Sequence, residues 1–184
     1  GTRVLLSLFQ SVTPRTAGFN TADFSQLSAS GQMLTIILML IGGGPGSTAG
    51  GMKTTPLAVL TATAISVFRR NENPELFKRR IAQETVSDAA AILMMYLSLC
   101  LTGAFLISRI EELPMMACMF ETASAVGTVG LSFGITPGLG SISRIILIIL
   151  MYLGRVGGLT LIYAALSGHR IRLGKYPLEK STVG

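Results

Sequence analysis

Charge is the first thing this chain is short of. Asp, Glu, Lys and Arg make up only 13% of its 184 residues, about half the share of an ordinary soluble domain. Hydrophobic residues make up 49% and the mean hydropathy is +0.60, which points to a lipid bilayer as solvent and partner. Tryptophan is absent, and the one histidine, His169, sits in a basic tail where a solvated surface role fits it. Only two cysteines occur, Cys100 and Cys118, both in apolar stretches without metal-ligand spacing. They read as small buried hydrophobes. The acids Asp23, Asp88 and Glu121 are scattered. Asp88 reads as a helix cap, and Glu121 as a hydrogen-bond partner for the loop that follows it. These shortages argue against an enzyme. No secretory signal is visible, and the abrupt opening at Gly1 reads as the tail end of a longer protein.

Glycine is plentiful, at 21 residues. In so apolar a chain it fits close backbone approach in a membrane bundle and does not fit disorder. The net charge is +6. In a soluble protein that would suggest nucleic acid. Here the basic residues border apolar runs, so a positive-inside topology is the better reading. Nine of them, Arg69, Arg70, Lys78, Arg79, Arg80, Arg170, Arg172, Lys175 and Lys180, fall in one connector and the tail. Both segments are expected on the cytoplasmic side. Arg3, Arg15, Arg109 and Arg144, with Glu111 and Glu112, fall toward the other.

Apolar runs of two lengths alternate along the chain. Val4 to Phe9 is too short to cross a bilayer, and Ser11 to Asn20 reads as non-helical backbone. Met33 to Ile41 leads into the glycine-rich stretch Gly42 to Lys53, and a helical pattern resumes from Pro56 to Phe68. Those two half-length runs look like one spanning segment broken in the middle. Val86 to Ile110 is long enough to span. Glu111-Glu112-Leu113-Pro114 makes a turn, Met115 to Val126 is short again, and Ile142 to Leu166 reads as a full span.

The chain also repeats itself. Thr16-Ala17-Gly18-Phe19 and Thr128-Val129-Gly130-Leu131 lie 112 residues apart, and at the same spacing Ile37 to Gly42 lines up with Ile149 to Gly154. The unit is a short helix, a Thr-x-Gly loop and a spanning helix, present twice in one orientation. Non-helical backbone at membrane depth survives only where protein or a water-filled path surrounds it. Glycine at positive φ lets successive carbonyls face one way, and rings of carbonyls replace the hydration shell of K⁺. Both short helices point their C-terminal, negative dipole ends at the loops.

These motifs resemble the Trk/Ktr/HKT family of potassium transporters. Thr13 to Thr21 looks like its third filter, Gly43 to Thr54 like its intramembrane gating loop, and Thr128 to Ser132 like its fourth filter. Gly154-Arg155-Val156-Gly157-Gly158 resembles its last inner helix. The resemblance implies an all-α membrane protein of potassium-channel-like outer helix, pore helix, filter loop and inner helix repeats around a central pore. Residues 1–70 would be the third repeat without its outer helix, and its inner helix would be broken. Residues 71–83 would be a cytoplasmic connector, 84–168 the fourth repeat and 169–184 a cytoplasmic tail. K⁺, the cargo, would meet the carbonyls of Thr16, Ala17, Gly18, Thr128, Val129 and Gly130, with Phe19 and Leu131 completing the filter segments. Na⁺ is a candidate activator, and no organic cofactor is expected. The implied partners are the remaining half of the same subunit, a second copy in a homodimer and cytoplasmic RCK-type nucleotide-binding subunits. The implied location is the bacterial plasma membrane. Phe19 and Leu131 stand where true potassium channels have tyrosine, and Asn20 and Ser132 replace the last glycine, so the filter should hold fewer well-defined ion sites.

The glycine-rich stretch cannot be a stable helix at about 1 kcal/mol per glycine relative to alanine, and Pro45 removes a further donor. It reads as a movable plug built from Gly43, Gly44, Gly46, Ser47, Thr48, Gly50 and Gly51. Arg155, mid-way along the last helix, costs several kcal/mol in a membrane unless it pairs or faces water. It aligns with Gly43 and is expected near the loop as a barrier to cations. Lys53 either shares that role or snorkels to the cytoplasmic face. Gly46 to Thr54 nearly matches a phosphate-binding loop, but Met52 intrudes before the lysine and spoils the alignment on one phosphate. A secondary transporter of an organic substrate also uses broken helices and repeats. The two copies here share one orientation, which favours a pore.

Overall fold

The computed structural model describes residues 2–19, 24–70, 74–76 and 79–157. Asn20, Asp23, Lys78, His169 and the tail lie outside them. The elements in order are α1 (Thr2–Val12), α2 (Ala29–Leu40), α3 (Thr54–Phe68), β1 (Glu75–Leu76), β2 (Arg79–Arg80), α4 (Gln83–Glu111), α5 (Met115–Val126) and α6 (Ser141–Val156). Short 3-10 turns cover Phe24–Gln26 and Thr136–Gly138.

Local chemistry sets most of these boundaries. Ser28 caps α2, its hydroxyl accepting from the Gly31 amide at 3.3 Å, as helix N-termini require. α4 stops where Glu112 turns left-handed at φ 54°. Pro114 then opens α5, its carbonyl accepting from the amides of Ala117 and Cys118. At 29 residues, α4 is about 44 Å long and is long and apolar enough to cross a membrane.

α5 sits at the centre. Every residue from Phe120 to Val126 is buried, the pattern of a helix enclosed on all sides. α4 and α6 pack on one side of it through Ile92, Tyr96, Ala104, Ile107, Leu147 and Leu150. α2 packs on the other through Ile36 and Met39, with Phe24 and Cys100. α3 lies against the start of α4 through Val59, Val86 and Ala89. Glu111 joins two helix ends. One of its carboxylate oxygens accepts from the Gly140 amide at 2.8 Å and the Ser143 hydroxyl at 2.5 Å, an anion at the start of α6 where the helix dipole favours one.

Gly154 is where α6 crosses the end of α5. A Cβ there would overlap the Val126 carbonyl group and lie 3.0 Å from the Val126 Cα. That neighbour is backbone and cannot swing away. Gly154→Val is therefore expected to destabilise the fold by about 1–3 kcal/mol or more, read as a lower thermal midpoint of the detergent-solubilised parent protein.

The 112-residue spacing recurs in the backbone. α2 and α6 begin at matching positions, and the two 3-10 turns coincide in register. Several expectations need correction. Ser11 and Val12 continue α1 as helix, and α3 begins at Thr54, two residues before Pro56. The last helix does not run unbroken to Leu166: Gly157 has φ +88°, which no right-handed helix accommodates, and the rest of that run lies outside the described residues. Asp88 is exposed in the second turn of α4 and caps nothing; the N-cap is Ala82, with no side-chain bond. The connector carries a small antiparallel pairing, Glu75 with Arg80 and Leu76 with Arg79, which apolar periodicity does not register.

Candidate functional site

Two loops with one backbone pattern meet beside the end of α5. In the first, Thr16 and Gly18 have φ 64° and 73°; in the second, Thr128 and Gly130 have φ 52° and 89°. Positive φ is uncommon for a β-branched residue and costs on the order of 1–3 kcal/mol. Its appearance in both threonines, at matching positions, shows that the surroundings impose it. Carbonyls at the ends of the preceding helices, or one residue past the end, absorb the loop amides. Ala17 and Gly18 both donate to the Thr13 carbonyl, at 3.1 and 3.3 Å, while Gly127, Thr128 and Val129 donate to Ala123, Ala125 and Ser124 at 2.8 to 3.1 Å.

The loops touch at their glycines. A Cβ on Gly18 would fall on the Val129 carbonyl oxygen, and one on Gly130 would lie 3.9 Å from the Gly18 Cα. Val129 and Leu131 turn their side chains into the core beside Phe24, Ile36 and Met39, whereas Phe19 is 70% exposed. Ala17 is also exposed.

The glycine-rich loop between α2 and α3 is closed at its base. Gly42 donates to the Met52 carbonyl at 2.7 Å, Met52 donates to Leu40 at 3.1 Å, and Thr54 donates to Gly43 at 3.3 Å. Gly43 packs against Ser47, and Gly51, at φ +73°, against Gly127 and Met39. Gly44 and Gly46 have open space around the Cβ position. At the tip, three successive carbonyls are held by cations. Lys53 Nζ donates to Ser47 at 2.7 Å and to Ala49 at 2.5 Å, and Arg155 donates to the Thr48 carbonyl. Arg155 thus meets the loop, and Lys53 folds back onto it. The Gly50 amide donates to the Thr128 hydroxyl at 3.0 Å, so the loop is latched to the second Thr-x-Gly segment. That latch joins residues 78 apart, and no local sequence signal announces it.

Glu121, 5% exposed, accepts from the Ser132 hydroxyl at 2.6 Å, the Phe133 amide at 3.0 Å and the Thr136 hydroxyl at 2.9 Å. It does bond around the loop that follows α5. Thr13, one residue past the end of α1, donates to the Phe19 carbonyl at 2.6 Å, a contact that no local sequence signal announces. A cavity of about 660 Å³ runs along this face, lined by Glu121, Thr128, Gly130, Ser132, Met151 and Arg155 among others. It connects the second loop with the arginine.

The chain matches the TrkH family, described as cation transport protein, over residues 1–170. It is 41% identical over 188 residues to the potassium/sodium uptake protein NtpJ of Enterococcus hirae, covering 99% of this chain and 42% of that protein. It is 39% identical over 158 residues to the Ktr system potassium uptake protein B of Bacillus subtilis, covering 86% and 36%. The structure of the potassium transporter TrkH from Vibrio parahaemolyticus superposes with a TM-score of 0.70 at 23% identity, covering 86% of this chain and 36% of that one. At that identity the likeness speaks for the fold. The chain spans about two-fifths of the length of the relatives it matches. With a family match over nearly its whole length and close relatives alongside, the chain belongs to the TrkH family of cation transport proteins.

Proposed function

We propose that this chain supplies two of the four units of a potassium-translocating pore, as part of the membrane subunit of a Trk/Ktr-type uptake system in the bacterial plasma membrane. The observation that carries the proposal is the pair of Thr-x-Gly loops, alike in backbone and meeting at Gly18, Val129 and Gly130. On this reading α1 and α5 are pore helices, α4 is an outer helix, α6 belongs to an inner helix, and α2 with α3 forms a broken one. The third unit covers 1–70 and the fourth 84–168, with 71–83 and 169–184 cytoplasmic.

The physical work is dehydration of K⁺. Loop amides turned back onto the carbonyls that precede them leave the carbonyls of Thr16, Ala17, Gly18, Thr128, Val129 and Gly130 as ion ligands, which stand in for water. The helix C-termini behind them add negative dipole ends. No bond is made or broken, so the chain acts as a conduit and not as an enzyme. The glycine-rich loop is the gate. Lys53 and Arg155 occupy its tip carbonyls and place two positive charges below the filter. Opening breaks the Arg155–Thr48 and Gly50–Thr128 contacts.

The partners proposed are the remaining half of the same subunit, a second copy and cytoplasmic RCK-type subunits docking on the connector and tail. The name of the Bacillus subtilis relative, Ktr system potassium uptake protein B, speaks of a multi-component system. Na⁺ enters as an activator, and no organic cofactor is assigned.

Tracer Rb⁺ uptake into liposomes carrying the complete parent protein, with Na⁺ as competitor, tests this. The wild type should take up Rb⁺ in preference to Na⁺, and Gly130→Ser should lose that preference. Absence of Rb⁺ flux in folded wild type, with or without its regulatory subunits, would point to an organic-substrate transporter.

A further inference from the structure

At the shared 112-residue spacing, Thr13 of the first unit stands opposite Ala125 of the second, and Phe9 opposite Glu121. Each loop is therefore braced just beyond its glycine by a residue the other unit lacks. Thr13, 1% exposed, donates its hydroxyl to the Phe19 carbonyl at 2.6 Å. Its own carbonyl holds the amides of Ala17 and Gly18. Ala125 has no hydroxyl to offer Leu131. Glu121 grips the second loop instead, from its donor side. One oxygen takes the Ser132 hydroxyl and the Phe133 amide, and the other takes the Thr136 hydroxyl. The Ser132 oxygen in turn accepts from the Gly134 amide at 2.8 Å. All the partners donate, as an acceptor-only carboxylate requires. Phe9, 40% exposed, has no polar atom with which to do the same.

We propose that Thr13 and Glu121 are specificity-determining positioning residues that brace the outer ends of the two filter loops by opposite devices, so that the outermost ion site is uneven. This rests on the pore reading above. The first brace occupies a lone pair of the Phe19 carbonyl and fixes its direction, which makes that oxygen the weaker ion ligand. The second makes no bond to the Leu131 carbonyl and puts a buried acid on the cavity that Leu131 also lines, which favours a cation there. Both braces start from buried side chains, Thr13 at 1% and Glu121 at 5% exposure, where a missing partner is costly. A braced loop keeps its opening near the size of K⁺. A released loop closes around the smaller Na⁺.

The test is Rb⁺ against Na⁺ uptake by the complete parent protein in liposomes, for Thr13→Val, Thr13→Ser and Glu121→Gln. Thr13→Val should lower the Rb⁺-over-Na⁺ preference by up to about tenfold, the size of one lost hydrogen bond from a buried donor. Thr13→Ser keeps the hydroxyl and should restore the preference, which a merely steric role would not predict. Glu121→Gln keeps the shape but removes the charge, and should lower both the preference and the apparent affinity for Rb⁺. If Thr13→Val fails to fold, Thr13→Ala replaces it, and the Glu121→Gln arm decides independently. A selective wild type with its preference unchanged in every folded variant would overturn the inference alone. A folded wild type without Rb⁺ uptake would overturn the pore reading and this inference with it.

Discussion

Gly18→Ala is expected to all but abolish Rb⁺ uptake by the parent protein while leaving it folded and inserted. Two independent penalties meet at this position. Gly18 has φ +73°, which costs an L-residue about 1–2 kcal/mol. The added methyl would also occupy the place of the Val129 carbonyl oxygen, a backbone atom tied down by the Val129 amide on Ser124 at 2.9 Å. Relief requires one loop to retreat from the other, and the carbonyls of both then leave register. A displacement worth about 3 kcal/mol corresponds to roughly a hundredfold in rate. Gly44→Ala makes a useful contrast, because a Cβ there meets nothing within 4 Å. Equal Rb⁺ uptake by Gly18→Ala and wild type, at equal protein per liposome, would remove Gly18 from the ion path.

Arg155→Gln is expected to raise Rb⁺ uptake several-fold. The guanidinium donates to the Thr48 carbonyl at the tip of the glycine-rich loop, and it borders the same cavity as Thr128 and Gly130. On the proposed pore reading, its loss removes a positive charge from the path and one tether from the loop, and both effects favour cation passage. The low dielectric of a membrane interior magnifies the charge effect. Arg155→Lys separates the two contributions, because lysine keeps the charge but not the planar fork. Uptake by the lysine variant should fall between wild type and glutamine. A glutamine variant that is folded and no faster than wild type would mean that Arg155 neither bars cations nor holds the loop. The Gly50–Thr128 latch and the Lys53 contacts remain in that variant, so the gain should be partial.

Much of this was legible in the order of residues, because it depends on local rules. Charge scarcity and apolar run length indicated a bilayer. The span of α5 from Met115 to Val126 follows from Pro114 before it and Gly127 after it. The non-helical course of the glycine-rich stretch follows from glycine and proline propensity. The repeat at 112 residues showed that Thr16-x-Gly18 and Thr128-x-Gly130 are equivalent, and the backbone bears that out with positive φ at all four positions.

The tertiary structure decided what lies across chain separations too long for any periodicity to report. Glu111 reaches the start of α6, 29 residues on, and the glycine loop latches to Thr128 rather than to its own unit. Gly157 ends α6 inside a stretch that reads from its hydropathy as one continuous span, because the φ of a glycine is chosen by its surroundings and not by hydropathy. The difference between Thr13 and Glu121 was written in the sequence from the start. It acquires meaning only when the fold brings one hydroxyl to a carbonyl and one carboxylate to three donors, since a hydrogen bond depends on distance in space and not on position along the chain.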